Sequence, residues 1–294
     1  MNRMTLLASA CLVFLWGWQS TQAQPAQAQP AQAQPAQAQP APVAPTPAAP
    51  DTYKPTVGQM GKDVVWVPTH QALVDRMLDM AKVTPQDYLV DLGSGDGRTV
   101  ITAAKRGVRA HGIEYNPDLV AVSRRAAQAE GVAERATFAQ ADIFQSDFSD
   151  ATVVTLFLLH TLNERLRPTL LAMRPGTRVV SNTFTMGDWE ADQQYEHKGE
   201  CSSFCRAYLW IIPADAAGEW RLGEDRLVLR QTYQMLSGTL TRDGQELPIT
   251  EAKMDGNRIA FTAGNRRYTG ELAEGRITGR TEDGAEWSAT RAPG

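Results

Sequence analysis

The stretch Tyr88-Leu-Val-Asp-Leu-Gly-Ser-Gly-Asp-Gly-Arg98 limits what this chain can fold into more than any other. The apolar run Tyr88 to Val90 predicts a buried strand, closed by Asp91. Gly93, Gly95 and Gly97 then stand at alternate positions, and a helical run follows from Thr99. Strand, glycine turn and helix open a nucleotide-binding α/β unit. The glycines permit positive φ and let a ligand lie against the backbone where a Cβ would collide. The dinucleotide fingerprint places its third glycine where this chain has Arg98, which disfavours a nicotinamide enzyme.

The sequence ahead of this unit is not globular. Residues 1–24 read as a cleaved export signal, with Arg3 in the n-region and an apolar stretch from Thr5 to Trp18. That stretch is shorter than the ~20 residues of a membrane helix, and Thr21-Gln22-Ala23 offers small residues at the cleavage position. An exported chain, periplasmic or secreted, with no transmembrane helix in its mature form is the expectation. Residues 25–50 repeat Ala, Gln and Pro with no apolar period and read as a linker. The net charge of −4 provides no global basic field, so no nucleic-acid partner is expected.

From residue 51 the composition becomes globular, and at 294 residues the chain has room for two domains. Val64 to Pro68 is extended, and Thr69 can cap a helix running to about Lys82. After the glycine turn, a helix over Val100 to Arg106 leads to a strand at Arg109 to Glu114. Asn116-Pro117 caps a helix through Ala129, which Gly131 stops. Strands follow at Ala136 to Gln140 and Thr152 to Leu159. A helix over Leu162 to Met173, with Pro168 as a break or start, precedes a strand at Thr177 to Phe184. A strand at Ala207 to Ile212 can pair with Gln193 to His197. This alternation predicts an α/β doubly wound, mostly parallel sheet with helices on both faces, over residues 51–217.

Residues 218–294 change pattern. Leu227, Leu229, Gln231 and Tyr233 alternate, and turns recur at Asp243-Gly244, Asp255-Gly-Asn257, Gly264-Asn265, Glu274-Gly275 and Asp283-Gly284. A small antiparallel all-β domain, a meander or small barrel, is expected. Cys201 and Cys205 predict a local disulfide in an exported chain; with His197 they make only three metal ligands, so no metal is expected.

The motif Asp91-x-Gly-x-Gly-x-Gly97 resembles motif I of the class I S-adenosylmethionine (SAM) dependent methyltransferases. Further segments narrow the resemblance: Trp66-Val-Pro-Thr69, Val153 to Leu159, Asn163-Glu-Arg-Leu-Arg-Pro168, Pro175 to Ser181 and Met186-Gly-Asp-Trp189. Together they are similar to the ATP synthase c-subunit and adenine nucleotide translocase lysine methyltransferases and their bacterial relatives, over roughly residues 60–215. The segment around Asp91 is also similar to Dot1-type histone lysine methyltransferases. The chain departs from the family pattern at Asn182-Thr183, where a His-Asp pair is expected, and in lacking a Tyr near Trp66.

The resemblance implies SAM as cofactor and a protein lysine as acceptor. Asp91 would organise the loop Gly93, Ser94, Gly95, Asp96 and Gly97 around the methionine part. Glu114 would accept the ribose hydroxyls. Asp142 would bond the adenine amino group, with Ile143 against the ring. Thr69 and Asn116 complete the implied cofactor set. On the acceptor side, Thr155 would face the reacting methyl, Asn182 would hold the amine, and Trp189 would wall the lysine stem. A catalytically silent scaffold on this fold and a small-molecule methyltransferase are the alternatives.

Overall fold

Seven strands, five of them parallel, carry the half of the molecule that holds the glycine turn. The structure is a computed structural model and describes residues 53–199 and 201–292. The proposed export signal and the Ala/Gln/Pro segment lie outside the described residues. The parallel strands are β1 (Tyr88–Leu92), β2 (Arg109–Glu114), β3 (Ala136–Gln140), β4 (Val153–Leu156) and β5 (Arg178–Asn182). Two antiparallel strands, β6 (Gln193–Glu196) and β7 (Arg206–Ile211), complete the order β3-β2-β1-β4-β5-β7-β6. The predicted pairing of residues 193–197 with β7 is present.

One face of this sheet is covered as the sequence predicts. Helices α1 (Gln71–Met80), α2 (Arg98–Lys105) and α3 (Pro117–Ala129) bury Leu73, Val100 and Val120 against Leu89, Ala110 and Val180. Asn116 caps α3 through its side-chain oxygen, which accepts from Asp118 N at 2.9 Å. Thr69 does not cap α1. The helix starts two residues later, behind His70, and the Thr69 hydroxyl accepts from Asn182 Nδ2 instead.

The other face departs from the expectation. It carries one helix, α4 (His160–Leu171), and two non-helical segments that contribute Phe148, Met186 and Trp189. Pro168 neither breaks nor starts α4 but lies inside it. Strand β4 ends at Leu156, and Phe157 to Leu159 leave the sheet toward α4.

The remaining strands close into an eight-stranded antiparallel barrel. They are β8 (Gly218–Leu222), β9 (Asp225–Thr232), β10 (Met235–Arg242), β11 (Gln245–Asp255), β12 (Arg258–Ala263), β13 (Arg266–Ala273), β14 (Arg276–Thr281) and β15 (Glu286–Arg291). Alternate residues such as Leu227, Leu229, Phe261, Tyr268 and Ile277 fill its interior. Closure pairs the strands that would otherwise present free edges.

The barrel meets the sparsely covered face of the α/β half through the Tyr233-Gln234 tip between β9 and β10. Trp189 stacks on Tyr233, with ring centroids 5.6 Å apart. Its Nε1 donates to Gln234 Oε1 at 2.7 Å, and Gln234 Nε2 donates to Glu190 O at 2.8 Å. Lys253 on β11 pairs with Asp192 at 2.7 Å. No helix among the described residues is long and apolar enough to cross a membrane.

Candidate functional site

The C-terminal ends of the parallel strands border one cavity of about 390 Å³. Its position follows from the strand order. The chain runs outward from β1 to β3, then returns to start again at β4, so the loops after β1 and β4 diverge and leave a crevice. Residues at and just after the ends of β1, β2 and β3 line one side: Asp91, Gly93, Ser94, Gly95 and Asp96, then Glu114 and Tyr115, then Asp142 and Ile143. Leu156 to Leu159 after β4 and Phe184 after β5 line the other. A strap of residues 60–69 forms a further wall.

The glycine turn is held by its neighbours. Glu114 Oε2 accepts from Gly95 N and Oε1 accepts from Asn116 N, both at 2.9 Å. One carboxylate thus joins the turn to the start of α3. Gly95 and Gly97 both have positive φ. A Cβ on Gly95 would lie 2.6 Å from Trp66 Nε1, and one on Gly97 would lie 2.7 Å from Phe138 Cζ. At both positions the protein's own side chains make a close approach to the glycine. Trp66 is absent from the cofactor set implied by the sequence. The extended Val64 to Pro68 run and the family-like segment Trp66-Val-Pro-Thr69 are its signals there, but nothing local reveals which surface an extended strap covers.

Asp91 is buried, and its Oδ1 accepts from Thr155 Oγ1 at 2.6 Å. Burial, opposed by that hydrogen bond and reinforced by Glu114 nearby, pushes its carboxyl up to about 7. Asp142 goes the other way. Lys62 Nζ sits 2.7 Å from its Oδ2 and holds its carboxyl below the usual range.

The pH consequence of Asp91 has a definite sign. The fold keeps this proton to about pH 7, whereas an unfolded aspartate releases it near 4. The folded chain therefore binds more protons than the unfolded chain between those values, and this group's contribution to stability falls as pH rises through that window. Asp91→Asn keeps an oxygen for Thr155 and removes the titration. Denaturant unfolding of both proteins from pH 5 to 8 should show the variant gaining on wild type by up to about 1.4 kcal/mol per pH unit below pH 7. A pH-independent difference would mean that Asp91 is already ionised in the fold.

The three residues expected on the acceptor side do not line the cavity. Thr155 is buried beneath it as the partner of Asp91. Asn182 is buried and ties β5 to Thr69. Trp189 is 1% exposed and packs between the sheet and the barrel. On the cofactor side, Thr69, Asp91, Gly93, Ser94, Gly95, Asp96, Glu114, Asp142 and Ile143 come together around the cavity. Gly97 and Asn116 are not among its lining residues; Gly97 is the N-cap position before α2 and Asn116 caps α3. Cys201 and Cys205 are joined as a disulfide.

The lining chemistry fits the cofactor implied by the sequence. Four carboxylates, Asp63, Asp96, Glu114 and Asp142, and the proton-retaining Asp91 face two cations, Lys62 and Arg98. Arg98 is spent on Asp96 and on Thr69 O. This excess of acid suits a ligand carrying sulfonium and ammonium charges and opposes a pyrophosphate. Ile143 and Leu158 supply apolar surface for an adenine face.

Comparison with known proteins finds relatives of the α/β half. The ANTKMT methyltransferase domain model matches residues 91–193, a span that ends before the barrel. A protein-lysine N-methyltransferase of Saccharolobus islandicus is 44% identical over 129 residues, covering 43% of this chain and 80% of that protein. The ATP synthase c-subunit lysine N-methyltransferase of Caenorhabditis elegans is 33% identical over 129 residues, covering 42% of this chain and 68% of that protein. A crystal structure described as an RNA methyltransferase from Salinibacter ruber in complex with S-adenosyl-L-homocysteine is 48% identical. It covers 51% of this chain and 95% of that chain, with a TM-score of 0.48.

Proposed function

Because this chain belongs to the SAM-dependent methyltransferase family of the adenine nucleotide translocase and ATP synthase c-subunit lysine methyltransferases, we propose that its acceptor is a protein lysine amine. The observation that carries SAM-dependent transfer is the meeting of Asp91, Glu114 and Asp142, from three successive strand ends, around one cavity whose opposite side is apolar. The names of the archaeal and nematode relatives support lysine as the acceptor.

When bound, SAM supplies an electrophilic methyl whose leaving group is a neutral thioether, so the protein has no leaving-group charge to stabilise. The chain's own residues bind and align. Glu114 and Asp142 offer acceptors for the ribose and adenine, and the strap around Trp66 closes over the glycine turn. Leu156, Phe157 and Phe184 form an apolar approach on the β4–β5 side. Such surroundings disfavour an ammonium and favour the neutral amine, which is the nucleophile. Alignment in a dry site lowers much of the barrier that remains.

We propose separately that the enzyme works in an oxidising, exported location. The apolar leader and the Cys201–Cys205 disulfide support it.

The test is transfer from methyl-labelled SAM by the full chain to a fractionated protein extract and, separately, to RNA. Acid hydrolysis of the labelled protein followed by mass spectrometry should find Nε-methyllysine. Label confined to RNA, to small molecules or to another amino acid would overturn the lysine assignment.

A further inference from the structure

Three phenylalanines meet on the β4–β5–β7 side of the cavity. Phe157 follows β4, Phe184 follows β5, and Phe204 precedes β7. These three strands are neighbours in the sheet, and β7 runs antiparallel, so its start lies at the same edge as the ends of the other two. The ring centroids of Phe157 and Phe204 are 5.3 Å apart, edge to face. Phe184 lies 6.1 Å from Phe204 and 6.2 Å from Phe157. All three rings line the same cavity as the acidic strand ends, and Phe204 keeps 38% of its surface exposed. A triangle of partly exposed aromatic rings is costly to leave in water unless something covers it.

Phe204 is held there by covalent structure. It is the residue before Cys205 and lies inside the loop closed by the Cys201–Cys205 disulfide. Its φ is +56°, a left-handed conformation unfavourable for a residue with a Cβ. A short closed loop limits the alternatives open to this backbone. The far end of the loop is fixed by His197 N donating to Cys205 O at 2.8 Å.

We propose that Phe204, held by the Cys201–Cys205 disulfide, completes with Phe157 and Phe184 an aromatic port for the alkyl-amine stem of the acceptor, so that acceptor affinity depends on the disulfide. This rests on the lysine reading above. The chemistry fits an amine on an alkyl stem. The exposed ring of Phe204 attracts the ammonium form at the mouth of the port, and the amine sheds its proton to solvent before it passes into the apolar surroundings beyond. The ring edges and faces also dehydrate the methylene stem. The strand order explains why port and cofactor side adjoin: β3-β2-β1 provides the carboxylates, β4-β5-β7 provides the rings, and the crevice between β1 and β4 joins them.

Two probes separate this proposal from the cofactor reading: S-adenosylhomocysteine, and an aza-analogue whose sulfur is replaced by nitrogen carrying an aminohexyl chain. Both are titrated calorimetrically into the oxidised full chain, Phe204→Ala, the double variant Cys201→Ser/Cys205→Ser, and wild type reduced with a phosphine. In oxidised wild type the chain-bearing probe should bind at least about tenfold more tightly than S-adenosylhomocysteine. That gain should vanish in Phe204→Ala and shrink in the double variant and on reduction. Affinity for S-adenosylhomocysteine should stay unchanged in all four, which also verifies that each is folded. A gain that survives the loss of Phe204 and of the disulfide overturns the port. So does the absence of any gain in wild type that still binds S-adenosylhomocysteine. Failure of wild type to bind S-adenosylhomocysteine overturns the cofactor reading and the port with it.

Discussion

Glu114→Ala is expected to weaken SAM binding by at least about a hundredfold, which corresponds to nearly 3 kcal/mol. The reason lies in what the carboxylate already does before a cofactor arrives. Its two oxygens accept from Gly95 N and Asn116 N, so it fixes both the glycine turn and the entry to α3. Hydrogen bonds to a charged acceptor each contribute about 1.5–3 kcal/mol, and here the same oxygens retain lone pairs for a ribose diol. Alanine removes the acceptor for the ligand and frees the turn that the ligand must lie against. Glu114→Gln should be nearly as severe. An amide has one acceptor oxygen, and its NH2 would face a backbone N–H donor. Calorimetric titration of SAM into the three proteins decides the matter. Glutamine binding within a few-fold of wild type would show that the second oxygen's bond is dispensable.

Trp189→Ala should have the largest effect on stability and little on cofactor affinity. The side chain is fully buried between the two halves, stacked on Tyr233 and bonded to Gln234. Removing a buried tryptophan costs about 3–5 kcal/mol. Here it also strands the Gln234 amide oxygen in a buried site, a further penalty of about 1–3 kcal/mol. Trp189→Phe keeps much of the ring contact and loses the Nε1 bond, so it should recover most of the loss. Scanning calorimetry should show the Ala variant melting earlier and with the barrel transition separating from that of the α/β half. SAM affinity should stay within a few-fold, because Trp189 does not line the cavity. Wild-type stability paired with lost transfer would return Trp189 to the acceptor side.

The contrast between these two residues shows where sequence reading succeeds on this chain. Glu114 and Asp142 are legible because a strand's end is marked by a change of local pattern, and this fold gathers strand ends on one edge. Asn116 is legible because capping is a contact between residues two apart. Trp189 is misplaced by the sequence because its partners, Tyr233 and Gln234, lie more than forty residues away across a change of fold. The barrel itself is visible as alternating residues and repeated turns, but its docking on the face left short of helices is not. The second helix layer predicted from alternation falls short for the same reason. Periodicity says whether a segment is helical, while a non-helical crossover can cover a sheet equally well if its side chains find partners.

The apolar runs, the glycine turn, the Asn116 cap of α3 and the acids at strand ends are set by interactions within a few residues and are readable from the chain. That Trp66 covers Gly95, that Thr155 serves Asp91, and that Phe157, Phe184 and Phe204 converge follows from the packing of distant segments. Those contacts join loops with no period of their own. Their geometry is fixed by the strands that carry them, and only the folded sheet brings those strands side by side.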